Sequence, residues 1–377
     1  MPAIRPFRID VPQTALDDLT GRLDRTVWPS ELPGVGDSYG VPGTRVRELA
    51  RYWGEEFDWR AVEARLNALP QFVTEIDGED IHFVHVRSSR PDATPLVLTH
   101  GWPGTFVEYL DVIGPLTEPA ADEPAFHVVI PSLPGFGFSG PTRSTGWNRW
   151  RTARAWAELM ARLGYDRYGA VGNDAGSMLA PEIGRFDAGH VVGVHVTQVY
   201  SFPSGDPAEF EKLTADDHAA LEHLQWFMDH KSAFNVLQSQ QPQTLAYALS
   251  DSPVGLLGWH AQLFGESLDP EFVLTNVAIS WFTGTVASAA RFYYEDAHAT
   301  DQPTGPTTAP LGVAMFAGDF RSIRAFADRD HAGIVSWNAY DAGRPAGPPA
   351  DAAGHYAAHE DTDLLVGDIR RFFASLS

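Results

Sequence analysis

Apolar and polar positions along the first 90 residues follow two different periods. Residues 16–23 and 60–69 carry apolar side chains at helical spacing, so both are expected as helices. Residues 72–76 and 81–87 instead alternate across Asp77-Gly78, the pattern of two paired strands joined by a tight turn. From residue 95 the texture changes again. Short apolar runs at 96–99, 128–130, 168–171 and 194–199 read as buried strands, with helical patterns such as 152–163 and 177–185 between them. That alternation predicts a mostly parallel sheet covered by helices on both faces, an α/β fold. Residues 204–300 break the alternation with helical patterns and no strand, at 216–230, 242–249, 255–264 and 274–292. Strands resume at 311–316 and 334–339, and a helix at 362–376 closes the chain. The expected organisation is an N-terminal segment (1–90), an α/β core (91–203 and 301–377) and a helical lid (204–300) over the C-terminal edge of the sheet. The Pro-, Ala- and Gly-rich stretch 344–353 is expected as a surface loop.

Composition narrows the function. The 49 acidic residues outnumber 27 basic ones, a net charge of −22, and a surface this acidic repels nucleic-acid phosphates. No apolar run approaches the roughly 20 residues that a membrane-spanning helix needs, and residues 1–10 lack the apolar stretch of a signal peptide. A cytoplasmic protein without membrane contact is expected. With no cysteine there is no disulfide scaffold, thiolate metal site or thiol nucleophile, and no metal is expected. Association into a homodimer is left open.

The chemistry concentrates in a few loops. Gly172-Asn173-Asp174-Ala175-Gly176 follows the strand at 168–171 and precedes a helix, the setting of a nucleophile elbow. Its central residue is Asp174 rather than Ser. A carboxylate that attacks a saturated carbon forms an ester, which an activated water can hydrolyse, whereas a serine would form an inert ether. His100-Gly101-Trp102-Pro103-Gly104 follows the strand at 96–99, so the backbone N–H groups of Trp102 and Ala175 are the expected oxyanion hole. His100 itself is expected to brace that loop. The order nucleophile, acid, histidine points to Asp319, just after the strand at 311–316, and to His355, in the last loop before the closing helix. Asp328, Asp330, Asp341 and Asp351 follow no clear apolar strand as closely, and His359 is expected as a surface or packing residue. A phenol, protonated at neutral pH, suits the departing oxygen of an epoxide; Tyr293 and Tyr294 end the helical block.

Taken together, the His100–Gly104 motif, Pro131-Ser132-Leu133-Pro134-Gly135-Phe136-Gly137-Phe138-Ser139, the Gly172–Gly176 motif, Asp251-Ser252-Pro253-Val254-Gly255-Leu256 and Arg291-Phe292-Tyr293 resemble the microsomal-type epoxide hydrolases. Asp58-Trp59-Arg60 and residues 72–78 resemble that family's N-terminal domain, which wraps around the lid. The resemblance runs nearly the full chain. It implies an α/β-hydrolase fold, no cofactor, and two-step hydrolysis of a small-molecule epoxide through an alkyl-enzyme ester, with water as the second substrate. It assigns Asp174 as nucleophile, Asp319 as acid, His355 as base and Tyr293 as proton donor. Two departures stand out. The membrane anchor of the mammalian members is absent, and the first of two expected lid tyrosines falls on Phe234. A second hydrogen bond would then come from Trp226, Gln238 or Tyr247, or Tyr293 would act alone. The aromatic lid suggests an apolar or aromatic epoxide, with Phe234, Trp226, Gln238, Tyr294 and Trp281 as candidate substrate contacts. The alternatives are a dehalogenase of the same fold, with Trp226, Trp259 or Trp281 as halide donors, and a non-hydrolytic binding protein or cyclase. Only two lysines against 25 arginines suggest a GC-rich bacterial genome, where such enzymes often serve secondary metabolism.

Overall fold

The computed structural model describes residues 3–316, 318–340 and 354–376. The expected loop at 344–353, and with it Asp351, lies outside these residues, as does Asp341. The strands are β1 (Arg5–Pro6), β2 (Gln71–Ile76), β3 (Glu79–Val86), β4 (Thr94–Thr99), β5 (Phe126–Pro131), β6 (Tyr168–Gly172), β7 (Val191–Val196), β8 (Leu311–Phe316) and β9 (Ile334–Tyr340). They form one sheet in the order β1-β2-β3-β5-β4-β6-β7-β8-β9. The first three strands and the β3–β5 pair run antiparallel, and every pair from β5 to β9 is parallel. The β2–β3 turn uses positive φ at both Asp77 (52°) and Gly78 (85°), the conformation a two-residue hairpin needs to match strand twist. β6 and β8 are buried along their whole length, as strands covered on both faces must be.

The helices of the N-terminal segment are α1 (Gln13–Asp24), α2 (Gly43–Glu55) and α3 (Trp59–Leu66). Those of the core's first half are α4 (Leu110–Thr117), α5 (Arg149–Arg162) and α6 (Ala175–Phe186). Between β7 and β8 come α7 (Ala215–His230), α8 (Ala233–Gln240), α9 (Pro242–Asp251), α10 (Pro253–Ala261), α11 (Pro270–Thr283) and α12 (Val286–Ala297). The chain closes with α13 (Arg324–Asp330), α14 (Ala357–Glu360) and α15 (Thr362–Ala374).

Two expected elements differ from the observed ones. The helical pattern at 274–292 is not one helix: Gly284 takes a left-handed φ of 63° and caps α11, and α12 leaves at 94°. Periodicity missed this because both helices are apolar on the sides that meet the core. The strand expected at 194–199 is β7, shifted to Val191–Val196, because Thr197 and Gln198 turn their polar groups toward the elbow instead of continuing the ladder.

The N-terminal segment packs on the insert. Trp59 meets Phe282 with ring centroids 4.8 Å apart, Arg45 donates to the Phe264 and Gly265 carbonyls, and Arg22 pairs with Asp251. Among the described residues no single helix is long and apolar enough to cross a membrane.

Candidate active site

The elbow is built by close backbone approach. A Cβ on Gly172 would lie 2.0 Å from the Gly176 carbonyl oxygen, and one on Gly176 would lie 1.8 Å from that of Thr99. Only glycine fits either position, and the turn they permit puts Asp174 at φ 52°, ψ −119°. A non-glycine residue held at positive φ stores strain that the surrounding packing must hold in place. Gly101 has the same constraint from the other side, since its Cβ would fall 2.0 Å from Asp174 Oδ1. The absence of a side chain there lets the Trp102 N–H donate to Asp174 Oδ1 at 2.9 Å, and the Ala175 N–H also donates to the carboxylate. Oδ2 has the Tyr200 hydroxyl 3.5 Å away.

Strand order brings the partners in. β6, β7 and β8 are neighbours, so the loops after them deliver Asp174, Gln198 and Asp319 side by side. Asp319 Oδ1 accepts from His355 Nδ1 at 2.8 Å and from the Phe320 N–H at 2.7 Å. Its Oδ2 accepts from the Gln198 amide, whose own oxygen takes the Asp174 N–H at 3.0 Å. Asn173 completes the frame: its amide nitrogen donates at 2.8 Å both to Glu108 and to the His355 carbonyl.

These charges shift one another. Burial raises the Asp174 carboxyl above its ordinary range, while the His355 charge and the two N–H donors pull it back. Burial opposes a charged His355, yet the charge and hydrogen bond of Asp319, with Asp174 and Glu108 behind them, raise it to about 10. Glu108 is pushed up to about 8, chiefly by burial, against the pull of His355 and the Asn173 hydrogen bond. Asp174, Tyr200, Tyr293 and His355 each keep some accessible surface among buried neighbours, as side chains lining a recess do.

On α12, Tyr293 stands edge-on to Trp102, with centroids 5.9 Å apart at 87°. Burial, with the Asp174 and Asp296 charges, raises its phenol well above the ordinary value, so it stays protonated. Phe234 stacks on Trp102 at 5.3 Å and meets Tyr293 edge-on at 6.2 Å, which puts it in the same aromatic group. The other candidate contacts sit differently. Gln238 is buried and takes the Trp259 indole N–H at 2.9 Å. Trp226 is exposed and stacks on His223 and His230 of its own helix. Tyr247 is 72% exposed, and Tyr294 is exposed and stacks on His298 at 4.1 Å. Trp281 faces Arg22 of the N-terminal segment. The structure therefore gathers Asp174, Asp319, His355, Trp102, Ala175, Tyr293 and Phe234, leaves Trp226, Tyr294 and Trp281 in contacts of their own, and leaves Tyr247 exposed.

Two histidines are structural. His100 takes the Leu133 N–H on Nε2 and faces the Gly101 carbonyl with Nδ1, and burial lowers it to about 4. His359 bridges Asp111 and Asp269. Burial opposes its charge, but the two carboxylates raise it to about 9.

Three site residues escaped sequence reasoning: Glu108, Gln198 and Tyr200. Gln198 and Tyr200 were within reach, because a residue just past the strand between nucleophile and acid must land between them. Glu108 has no such signal; a lone glutamate in an apolar helical stretch reads as a surface position.

Residues 4–109 match the family described as Epoxide hydrolase N terminus, and 94–194 match the alpha/beta hydrolase fold. A Stigmatella aurantiaca protein carrying the epoxide hydrolase name is 39% identical over 99% of this chain and 85% of its own length. Epoxide hydrolase 1 of Sus scrofa is 30% identical over 99% of this chain and 89% of its own. The structure of Aspergillus niger epoxide hydrolase superposes with a TM-score of 0.85 at 29% identity, over 100% of this chain and 97% of that one. The juvenile hormone epoxide hydrolase of the silkworm Bombyx mori gives a TM-score of 0.90 at 23% identity, over 100% and 95%, a likeness of fold. With an elbow that presents a carboxylate, a His–Asp pair beside it and full-length relatives at this identity, the chain is an α/β-hydrolase-fold enzyme that belongs to the epoxide hydrolase family.

Proposed function

We propose that this chain opens apolar or aromatic epoxides to vicinal diols through a covalent ester on Asp174. The observation that carries the reading is the asymmetry of that carboxylate. Oδ1 takes the Trp102 N–H, the Ala175 N–H also donates to the carboxylate, and Oδ2 has the Tyr200 hydroxyl 3.5 Å away. Oδ2 attacks an epoxide carbon from behind, the carbon–oxygen bond breaks, and the departing oxygen takes a proton from Tyr293. The aromatic group of Trp102, Phe234 and Tyr293 supports an apolar substrate.

The charge pattern also orders the two steps. In the free chain His355 is held as imidazolium by two carboxylates, Asp319 and Asp174. Ester formation removes the charge of Asp174, one of the groups that raise His355, so the imidazolium gives its proton, through solvent, to the Tyr293 phenolate and becomes a base. It then takes a proton from water attacking the Asp174 carbonyl carbon. The same two N–H groups hold the resulting oxyanion, a contribution of about 3–4 kcal/mol per donor in comparable sites. Collapse passes the hydroxyl proton of the tetrahedral intermediate to the departing diol oxygen, returns the Asp174 carboxylate and leaves His355 as the imidazolium of the free chain.

A single turnover in 18O-water tests the ester. The reading expects label in the Asp174 carboxylate and none in the diol; label in the diol on the first turnover overturns it. Asp174→Asn is expected to abolish turnover of styrene oxide.

A further inference from the structure

Resting on that reading, we infer that Tyr200 is a second hydrogen-bond donor to the epoxide oxygen, reaching it from the core side of the site rather than from the helical insert. The geometry is specific. Tyr200 lies in the loop after β7, and its hydroxyl is 3.5 Å from Asp174 Oδ2, the carboxylate oxygen other than the one that takes the Trp102 N–H. At that distance the contact is at the outer limit of a hydrogen bond, so the phenol is not committed to the carboxylate. In-line attack holds the reacting atoms ~3–3.5 Å apart, which puts the ring oxygen ~4.5 Å from Oδ2. A phenol 3.5 Å from Oδ2 closes that triangle with an ordinary O–H···O bond of ~2.7 Å.

The surroundings favour this use. The Tyr200 ring stacks on Phe320 with centroids 5.3 Å apart at 15°, and Phe320 directly follows Asp319, so the phenol is anchored to the same loop as the acid. Burial, with the charges of Asp174, Asp319 and Tyr293, keeps it protonated. The aromatic rings that meet Tyr293 edge-on, those of Trp102 and Phe234, carry no hydroxyl. Tyr293 alone would have to carry the developing alkoxide, at the cost of a phenolate whose formation burial opposes. With Tyr200 donating as well, the C–O bond breaks, Tyr293 gives up the proton, and the Tyr200 hydrogen bond shares the charge without moving a second proton.

Rapid-quench mass spectrometry with styrene oxide separates ester formation from ester hydrolysis. Tyr200→Phe is expected to slow ester formation roughly 10–100-fold, the scale of one oriented donor, and to leave hydrolysis unchanged. A 3-fluorotyrosine at position 200, of the same shape but more acidic, is expected to raise the rate of ester formation a few-fold. The proposal is overturned by ester formation in Tyr200→Phe within twofold of wild type, by an equal fall in both steps, or by insensitivity to fluorination. Absence of any ester on Asp174 in the wild-type chain overturns the parent reading and this proposal together.

Discussion

Gln198 and Asp319 are joined by a hydrogen bond from the amide nitrogen of the first to the carboxylate of the second, and the other end of the same amide receives the Asp174 N–H. One neutral side chain thus sets the position of both acids. Gln198→Leu keeps the volume and takes this partner from the Asp174 N–H and from Asp319 Oδ2. Hydrogen bonds to charged groups contribute about 1.5–3 kcal/mol, so kcat on styrene oxide should fall roughly 10–100-fold with little change in KM. A kcat within twofold of wild type would show that the amide is dispensable.

The two chemical steps should respond to pH differently. Ester formation needs ionised Asp174, whose carboxyl is raised by burial, so its rate should fall on the acid side earlier than an ordinary aspartate would dictate. It should show no inflection near neutrality from His355, which is already charged. Ester hydrolysis needs neutral His355 and should rise with pH through a midpoint below about 10, the free-chain value. Rates of both steps from acid to alkaline pH, set beside an NMR titration of His355, check this. A hydrolysis midpoint at or above the NMR value contradicts it.

Glu108 makes a separate prediction about stability. Its folded pKa of about 8 lies above the ordinary 4.5, so between those values the folded chain holds a proton that the unfolded chain has lost. Stability therefore falls as pH rises through that window. Glu108→Gln keeps an acceptor for Asn173 and removes the titration. The variant should match wild type near pH 4 and exceed it by a few kcal/mol at most near pH 8. Denaturant melts at the two pH values read the difference, and equal stabilities at both would sink the idea.

Gly101→Ala should inactivate without unfolding. The new methyl group would occupy the space of Asp174 Oδ1, 2.0 Å away, and must push the carboxylate off its donors. A displacement of about 1 Å at a reacting group costs roughly 100-fold. Circular dichroism should stay native while the burst of ester disappears.

Much of this was legible in the chain and some was not, for identifiable reasons. The elbow could be read because Gly172 and Gly176 are forced by backbone contact, and a forced residue leaves a mark in sequence. The acid and the histidine followed from chain order once the sheet was recognised. The insert was harder to read. Apolar faces on α11 and α12 look continuous, and only Gly284 and Thr285 separate them. Substrate contacts chosen for aromaticity alone included Trp226 and Tyr294, because a ring that covers a helix has the same letter as a ring that meets a ligand. Tyr200 was overlooked for the opposite reason: attention went to the insert, whereas the phenol comes from the sheet.

Tyr293 is followed three residues later by Asp296, which Arg149 of the sheet-covering helix α5 grips through Nε at 2.8 and 3.0 Å. The helix bearing the proposed proton donor is thereby bolted to the body of the enzyme, so on that reading the acid that greets the guest waits in a fixed place.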